Sequence, residues 1–169
     1  MNMEEICSRM EANGGAIGSL FDGLAVGQLG WRPAPEKWSL LEVLCHLHDE
    51  EVDDFRTRVD STLHHPEVPW PAIDPQGWVR DRRYAEWDPE TTMKSFRKRR
   101  LDSLHWLRSL DAPDWTAVHE HPQLGALSAG DLLLSWVTHD HLHIRQIVNL
   151  QLAFHREHGE PYSSRYAEP

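Results

Sequence analysis

An unbroken seven-residue repeat near the C-terminus leaves few folds open to this chain. Ser128 and Asp131 form a capping-box pattern at the start of the repeat, and Gly159 and Pro161 follow its end. The repeat positions, spaced 4, 3, 4, 3 and 4 residues apart, are Leu132, Trp136, His139, His143, Gln146 and Leu150. This spacing predicts a helix over 128–158 that turns one face towards the core of a bundle.

Three more helices are predicted from helix-start signals and from apolar positions at 3.6-residue spacing. The first begins at Asn2, the second at the capping box of Ser39 and Glu42, and the third at Asp88 with Pro89 behind it. Their approximate ranges are 2–24, 39–62 and 88–110. Four helices of this length predict an all-α four-helix bundle that forms a single domain over residues 1–169.

The stretch 63–87 separates the second and third predicted helices and contains five Pro or Gly residues. We interpret it as a long ordered loop. Loops of this length inside a compact domain are usually functional, so we expect it to form a pocket wall or an interface.

The formal net charge of −10 argues against nucleic acid as a partner, because phosphate binding needs clustered Lys and Arg. One basic run, at 97–100, lies on the third predicted helix. We interpret this run as a solvated helix face, with anion binding as the alternative.

Cys7 and Cys45 are too few for a disulfide framework and lie among apolar neighbours, so we expect both to be reduced and buried. No apolar run approaches the roughly 18 residues that a membrane span needs, and the N-terminus has no signal-like stretch. We therefore expect a cytoplasmic protein with no membrane partner.

His139 and His143 lie one turn apart in the inward seam of the fourth predicted helix. Imidazoles at this spacing project side by side and can share one metal ion at the roughly 2.0–2.1 Å typical of Zn–N bonds. The alternative is a pair of core histidines, each hydrogen-bonded to neighbours. His141 points away from the seam of a helix and is expected to be exposed.

The second predicted helix supplies a candidate third ligand, His46. If its inward seam is Val43, His46, Glu50 and Asp53, then Glu50 lies one turn beyond His46. Glu50 can then be a fourth ligand, a proton carrier, an acceptor for an imidazole N–H, or a rim carboxylate. His48 falls off this seam and is predicted to lie on the surface, whereas Cys45 is predicted to lie in the core.

Two motifs in this order resemble the signatures of DinB-like proteins. The first runs WRPAPEKWSLLEVLCHL over 31–47, followed by Asp49 and Glu50. The second is HDHLHIRQI over 139–147, which fits the pattern His-x-x-x-His-x-x-Gln. The order and spacing fit over most of the chain, up to Leu152.

The resemblance implies an up-down-down-up four-helix bundle with a three-His metal site formed by His46, His139 and His143. It also implies nickel or zinc as the metal and a homodimer as the assembly. Members of the family include S-transferases that use low-molecular-weight thiols, and a related thiol-dependent isomerase.

Three neutral ligands with open positions are typical of a catalytic metal site, because structural zinc is usually four-coordinate and closed. Our leading hypothesis is a metal-dependent transferase of the thiol S-transferase type that acts on a small molecule, with Glu50 as the catalytic acceptor of the thiol proton. A metal-dependent hydrolase and a non-catalytic metal-binding stress protein are the alternatives.

Overall fold

A computed structural model describes residues 2–167 of the chain. The predicted domain spans 1–169, so Met1, Glu168 and Pro169 lie outside the described residues. About two-thirds of the chain is helical. No helix among the described residues is long and apolar enough to cross a membrane.

Four long helical units form the bundle. The helices are α1 (Met3–Phe21), α2 (Val26–Gly30), α3 (Leu40–Asp49), α4 (Thr57–His64), α5 (Pro75–Asp81), α6 (Pro89–Ser109) and α7 (Ala129–His158). A π-helical segment, Glu50–Arg56, joins α3 to α4 without a break. The long units are therefore α1, the continuous unit from α3 to α4, α6 and α7, and the short helices α2 and α5 lie in the connections.

The predicted helix starts are confirmed, because their local hydrogen bonds are satisfied. Capping boxes at Asn2, Ser39 and Ser128 each make both reciprocal hydrogen bonds. At α6, the Asp88 side chain accepts from the N–H of Thr91, and Pro89 occupies the first turn, where no N–H is needed. Four long helical units are confirmed, while the up-down-down-up order stays a prediction.

The all-α prediction missed a small β-hairpin. Strands β1 (Val118–His121) and β2 (Gly125–Ser128) pair antiparallel just before α7. The turn between them depends on Gly125, whose φ of 75° suits glycine, and on the His121 ring, which accepts N–H groups from the turn. The predicted loop at 63–87 likewise contains α5, which begins with Asp74 as its cap and Pro75 behind it.

A buried ion network lies among the four long units. Arg100 of α6, only 3% exposed, donates to both carboxylate oxygens of Glu51 at 2.8–2.9 Å and to both of Asp140 at 2.8 Å. Its remaining N–H group donates a hydrogen bond to the backbone carbonyl of Met10 at 2.8 Å, so all five donors of the guanidinium are used. Trp136 donates its indole N–H to Glu51 at 3.1 Å. The network connects α1, the π-helical segment, α6 and α7.

The solvated-face interpretation of the run 97–100 is therefore wrong for Arg100. Its neighbour Lys98 is exposed and pairs with Asp102, but Arg100 points into the bundle. A glycine makes room for it, since a Cβ on Gly14 of α1 would lie 3.3 Å from Cγ of Arg100. The absence of a Cβ at Gly14 thus lets α1 pack closely against α6.

We predict that Arg100→Met lowers the free energy of unfolding by about 3–5 kcal/mol, because it leaves two buried carboxylates without their cation. Urea denaturation at neutral pH measures the change. The matched control is Lys98→Met in the same run, whose exposed ion pair contributes within about 0.5 kcal/mol. Equal stability of the two variants would contradict the role assigned to the network.

Candidate metal centre

The structure brings together the three histidines predicted to bind metal. Nε2 of His46 lies 3.1 Å from Nε2 of His139 and 3.1 Å from Nε2 of His143, and the last two are 3.0 Å apart. His139 and His143 come from successive turns of α7, and His46 faces them from α3. Among the described residues, this set satisfies the distance requirement for a shared ion.

The donor atoms fit a divalent transition metal. Two nitrogens bound at about 2.0–2.1 Å with tetrahedral angles are separated by about 3.4 Å, close to the distances between these three atoms. Burial, followed by the neighbouring His143, lowers the pKa of His46 to about 3, and burial likewise lowers the pKa of His139 to about 2 and that of His143. The rings are therefore neutral at physiological pH, which is the state that binds metal.

The ring nitrogens on the far side of two of these histidines lack hydrogen-bond partners. Nδ1 of His46 and Nδ1 of His143 are both buried without one. A histidine that binds metal through Nε2 carries its proton on Nδ1, and such a proton usually has an acceptor. Apolar rings restrict the histidines from the sides, since Trp38 lies 4.9 Å from His46 and Phe55 lies 4.9 Å from His139, measured between ring centroids.

Glu50 lies behind His46, on the side away from the cluster. Its Oε1 is 3.7 Å from Nδ1 of His46, and this oxygen is itself buried without a partner. Burial and then a hydrogen bond with Asp54 raise the pKa of Glu50 to about 9, so the carboxyl holds a proton at neutral pH. This placement suits an acceptor that orients His46 more than a base that faces the cluster. The catalytic role of Glu50 stays a prediction.

The π-helical segment changes the inward face that α-helical spacing predicts. Asp53 was expected to follow Glu50 inward, but it is about one-third exposed and bonds Arg82 at 2.7 Å. The buried positions are instead Glu51 and Asp54, and Asp54 pairs with Arg58. A π turn holds more residues than an α turn, so the face rotates within the segment. Such turns often occur at functional sites.

The surface prediction for His48 is wrong. Its side chain is buried between α3 and α6, where Nδ1 lies 2.8 Å from Asp49 and Nε2 lies 2.9 Å from Ser95. A polar partner on α6 allows a histidine off the apolar seam to be buried, and spacing along one helix does not reveal that partner. His141 is exposed and Cys45 is buried, as predicted.

We predict that burial of His46 makes the metal-free protein less stable in acid. Below about pH 6.5 an unfolded chain protonates this ring, whereas the folded chain keeps it neutral down to about pH 3, so stability falls as the pH falls through that window. Between pH 7.5 and 5.5 the loss due to one such histidine is about 1.4 kcal/mol.

The measurement compares urea denaturation of wild type and His46→Gln at both pH values in the presence of a chelator. From pH 7.5 to 5.5 the free energy of unfolding should fall by about 1.4 kcal/mol more in the wild type than in the variant. The raised pKa of Glu50 makes its own contribution to the free energy of unfolding increase as the pH falls. Both proteins retain Glu50, so this contribution cancels in the comparison. Equal losses would mean that His46 is protonated in the folded protein.

The fold is similar to the solved structure of YfiT from Bacillus subtilis, with a TM-score of 0.79 and 18% sequence identity. The match covers 93% of this chain and 87% of that chain. YfiT is described as a probable metal-dependent hydrolase with an unusual four-helix bundle topology. At this identity the likeness establishes the fold, a four-helix bundle.

Among curated proteins, no sequence matches this chain. The sequence profile of the DinB superfamily matches residues 9–147, a segment that contains all three clustered histidines. The match confirms the resemblance inferred from the two motifs at 31–50 and 139–147. Since it covers far more than half of the sequence, this chain belongs to the DinB superfamily.

Proposed function

We propose that this protein is a metal-dependent enzyme in which His46, His139 and His143 hold one divalent transition metal ion, and that it acts as a hydrolase on a small molecule. The observation that carries the proposal is the mutual distance of 3.0–3.1 Å among the three Nε2 atoms. Three neutral imidazole rings this close, one buried and two half-buried, lack an evident purely structural use.

A three-His donor set favours catalysis over a structural role. Structural zinc sites are usually closed by four protein ligands, whereas catalytic sites keep a position for water or substrate. When bound, a divalent ion held by neutral ligands lowers the pKa of a coordinated water towards about 7. Since imidazoles add no negative charge, they weaken this effect of the ion less than carboxylate or thiolate ligands would.

The chain's own residues orient the donors. We propose that Oε1 of Glu50 accepts a hydrogen bond from Nδ1–H of His46 once the two groups move slightly closer, since these atoms are 3.7 Å apart and both are buried without a hydrogen-bond partner. Phe55 and Trp38 pack against the rings of His139 and His46 and restrict their rotation. Orientation by a neighbouring acceptor typically contributes 10–100-fold in metal affinity.

The hydrolase and the thiol S-transferase differ in the nucleophile. YfiT, a protein of the same fold, is described as a probable metal-dependent hydrolase, and this description supports water as the nucleophile. The S-transferase alternative rests on the motif resemblance and would bring a low-molecular-weight thiol to the same position. Zinc or nickel as the metal and the homodimer remain predictions of the same resemblance.

We predict about one equivalent of zinc or nickel per chain, measured by elemental analysis of the purified protein. His46→Ala, His139→Ala and His143→Ala should each lose the metal, because two imidazoles hold a divalent ion far less tightly than three. The matched control is His141→Ala, which removes an exposed histidine from the same helix and should keep full metal content. Full metal content in His139→Ala would contradict the site assignment.

For the reaction, we predict metal-dependent cleavage of at least one compound in a panel of small esters, amides and phosphodiesters, without added thiol. A chelator should lower the rate about 100-fold or more, and the added metal should restore it. Turnover that requires a thiol such as cysteine or glutathione would replace the hydrolase with the S-transferase. A bound metal with no exchangeable ligand would favour the non-catalytic protein.

A further inference from the structure

Outside the metal centre, a serine, a histidine and an aspartate form a continuous hydrogen-bonded chain. Oγ of Ser95 on α6 lies 2.9 Å from Nε2 of His48 on α3. Nδ1 of the same ring lies 2.8 Å from Oδ1 of Asp49. A nucleophile in contact with a base, and a base oriented by a third group, is the arrangement that activates serine in hydrolases.

The hydrogen-bond polarity is the one that activation requires. Asp49 is 2% exposed and accepts from His48, which places the histidine proton on Nδ1. Nε2 then carries a lone pair and accepts the proton of the Ser95 hydroxyl. Tyr84 donates its OH to the other oxygen of Asp49 at 2.7 Å, and Arg82 pairs with that oxygen, so the carboxylate is fixed from two sides.

Of the three hydrogen-bonded residues, Ser95 is the one that is partly exposed. His48 is 6% exposed, and the edge of Trp87 packs near it with ring centroids 5.5 Å apart. Ser95 is half-buried. Arg99, one turn further along α6, donates to the backbone carbonyl of His48 at 3.0 Å. Ser95 and Arg99 are one turn apart on the same face of α6, so a cation is available on the side of the helix that carries the serine.

We propose that Ser95 is the nucleophile of a second reactive centre that takes an acyl group from a small activated ester and does not need the metal. Oγ of Ser95 forms a bond to the carbonyl carbon while its proton passes to Nε2 of His48. The bond from that carbon to the leaving oxygen then breaks, and His48 returns the proton to the departing alcohol. Water, activated by the same histidine, releases the acyl group and regenerates the serine.

The first experiment treats the full-length protein with a fluorophosphonate probe and locates the adduct by mass spectrometry. Ser95 displaces fluoride, so the adduct should appear on the peptide that contains it. Ser95→Ala should abolish this adduct. The matched control is Ser61→Ala, which removes a half-buried helical serine and should leave labelling of Ser95 unchanged. If Ser95 of the wild type is labelled no faster than Ser61, the proposal is overturned. The hydrogen bonds among Ser95, His48 and Asp49 would then only stabilise the packing of α3 against α6.

The second experiment separates this centre from the proposed metal enzyme. Labelling of Ser95 should proceed at the same rate with and without a chelator, whereas a dependence on metal would overturn the independence of the two centres. His48→Gln keeps a side chain able to bond Ser95 but cannot take up its proton, so the labelling rate should fall about 10²–10⁴-fold. An unchanged rate in a folded His48→Gln protein, checked by circular dichroism, would overturn the role of His48.

Discussion

The guanidinium of Arg100 is shared by the four long helical units: it binds Glu51 of the π-helical segment, Asp140 of α7 and a backbone carbonyl of α1. A buried cation of this kind tolerates little displacement, because a lost partner leaves an uncompensated charge in a medium of low dielectric constant. The hydrophobic effect is non-directional, whereas five directed hydrogen bonds specify the position and orientation of each partner. The hydrogen bonds of Arg100 therefore set the relative positions of the helices.

The metal centre depends on those positions. Asp140 follows His139 directly in α7, and Glu51 follows Glu50 directly in the π-helical segment. Each network carboxylate therefore lies on the face of its helix adjacent to a residue of the site. When Arg100 fixes the rotation of α7 and of the second unit, it also fixes how far His46 lies from His139. Nitrogens held 3.1 Å apart across two helices require such control.

The sequence predicted the features that depend on interactions within one helix, namely the helix starts and the inward face of the last helix. Ser39 and Ser128 begin helices because their side chains satisfy nearby N–H groups, and the seam at 132–150 turns His139 and His143 inward together. The burial of Arg100 and of His48 was not predictable in this way, since their partners lie on other helices. The rotation that exposes Asp53 and buries Asp54 follows from a π turn, which the α-helical spacing used to predict the inward seam of the second helix does not reveal.

The π-helical segment also has a consequence for comparing this chain with its relatives. A π turn is equivalent to an α-helix with one inserted residue. A relative with a regular α-helix at this point would match Glu50–Arg56 only through a one-residue gap within the helix. An alignment that forbids such a gap would pair a buried carboxylate with a solvent-facing position. Residues beyond the segment, from Thr57 onward, would then be compared with the wrong face of α4.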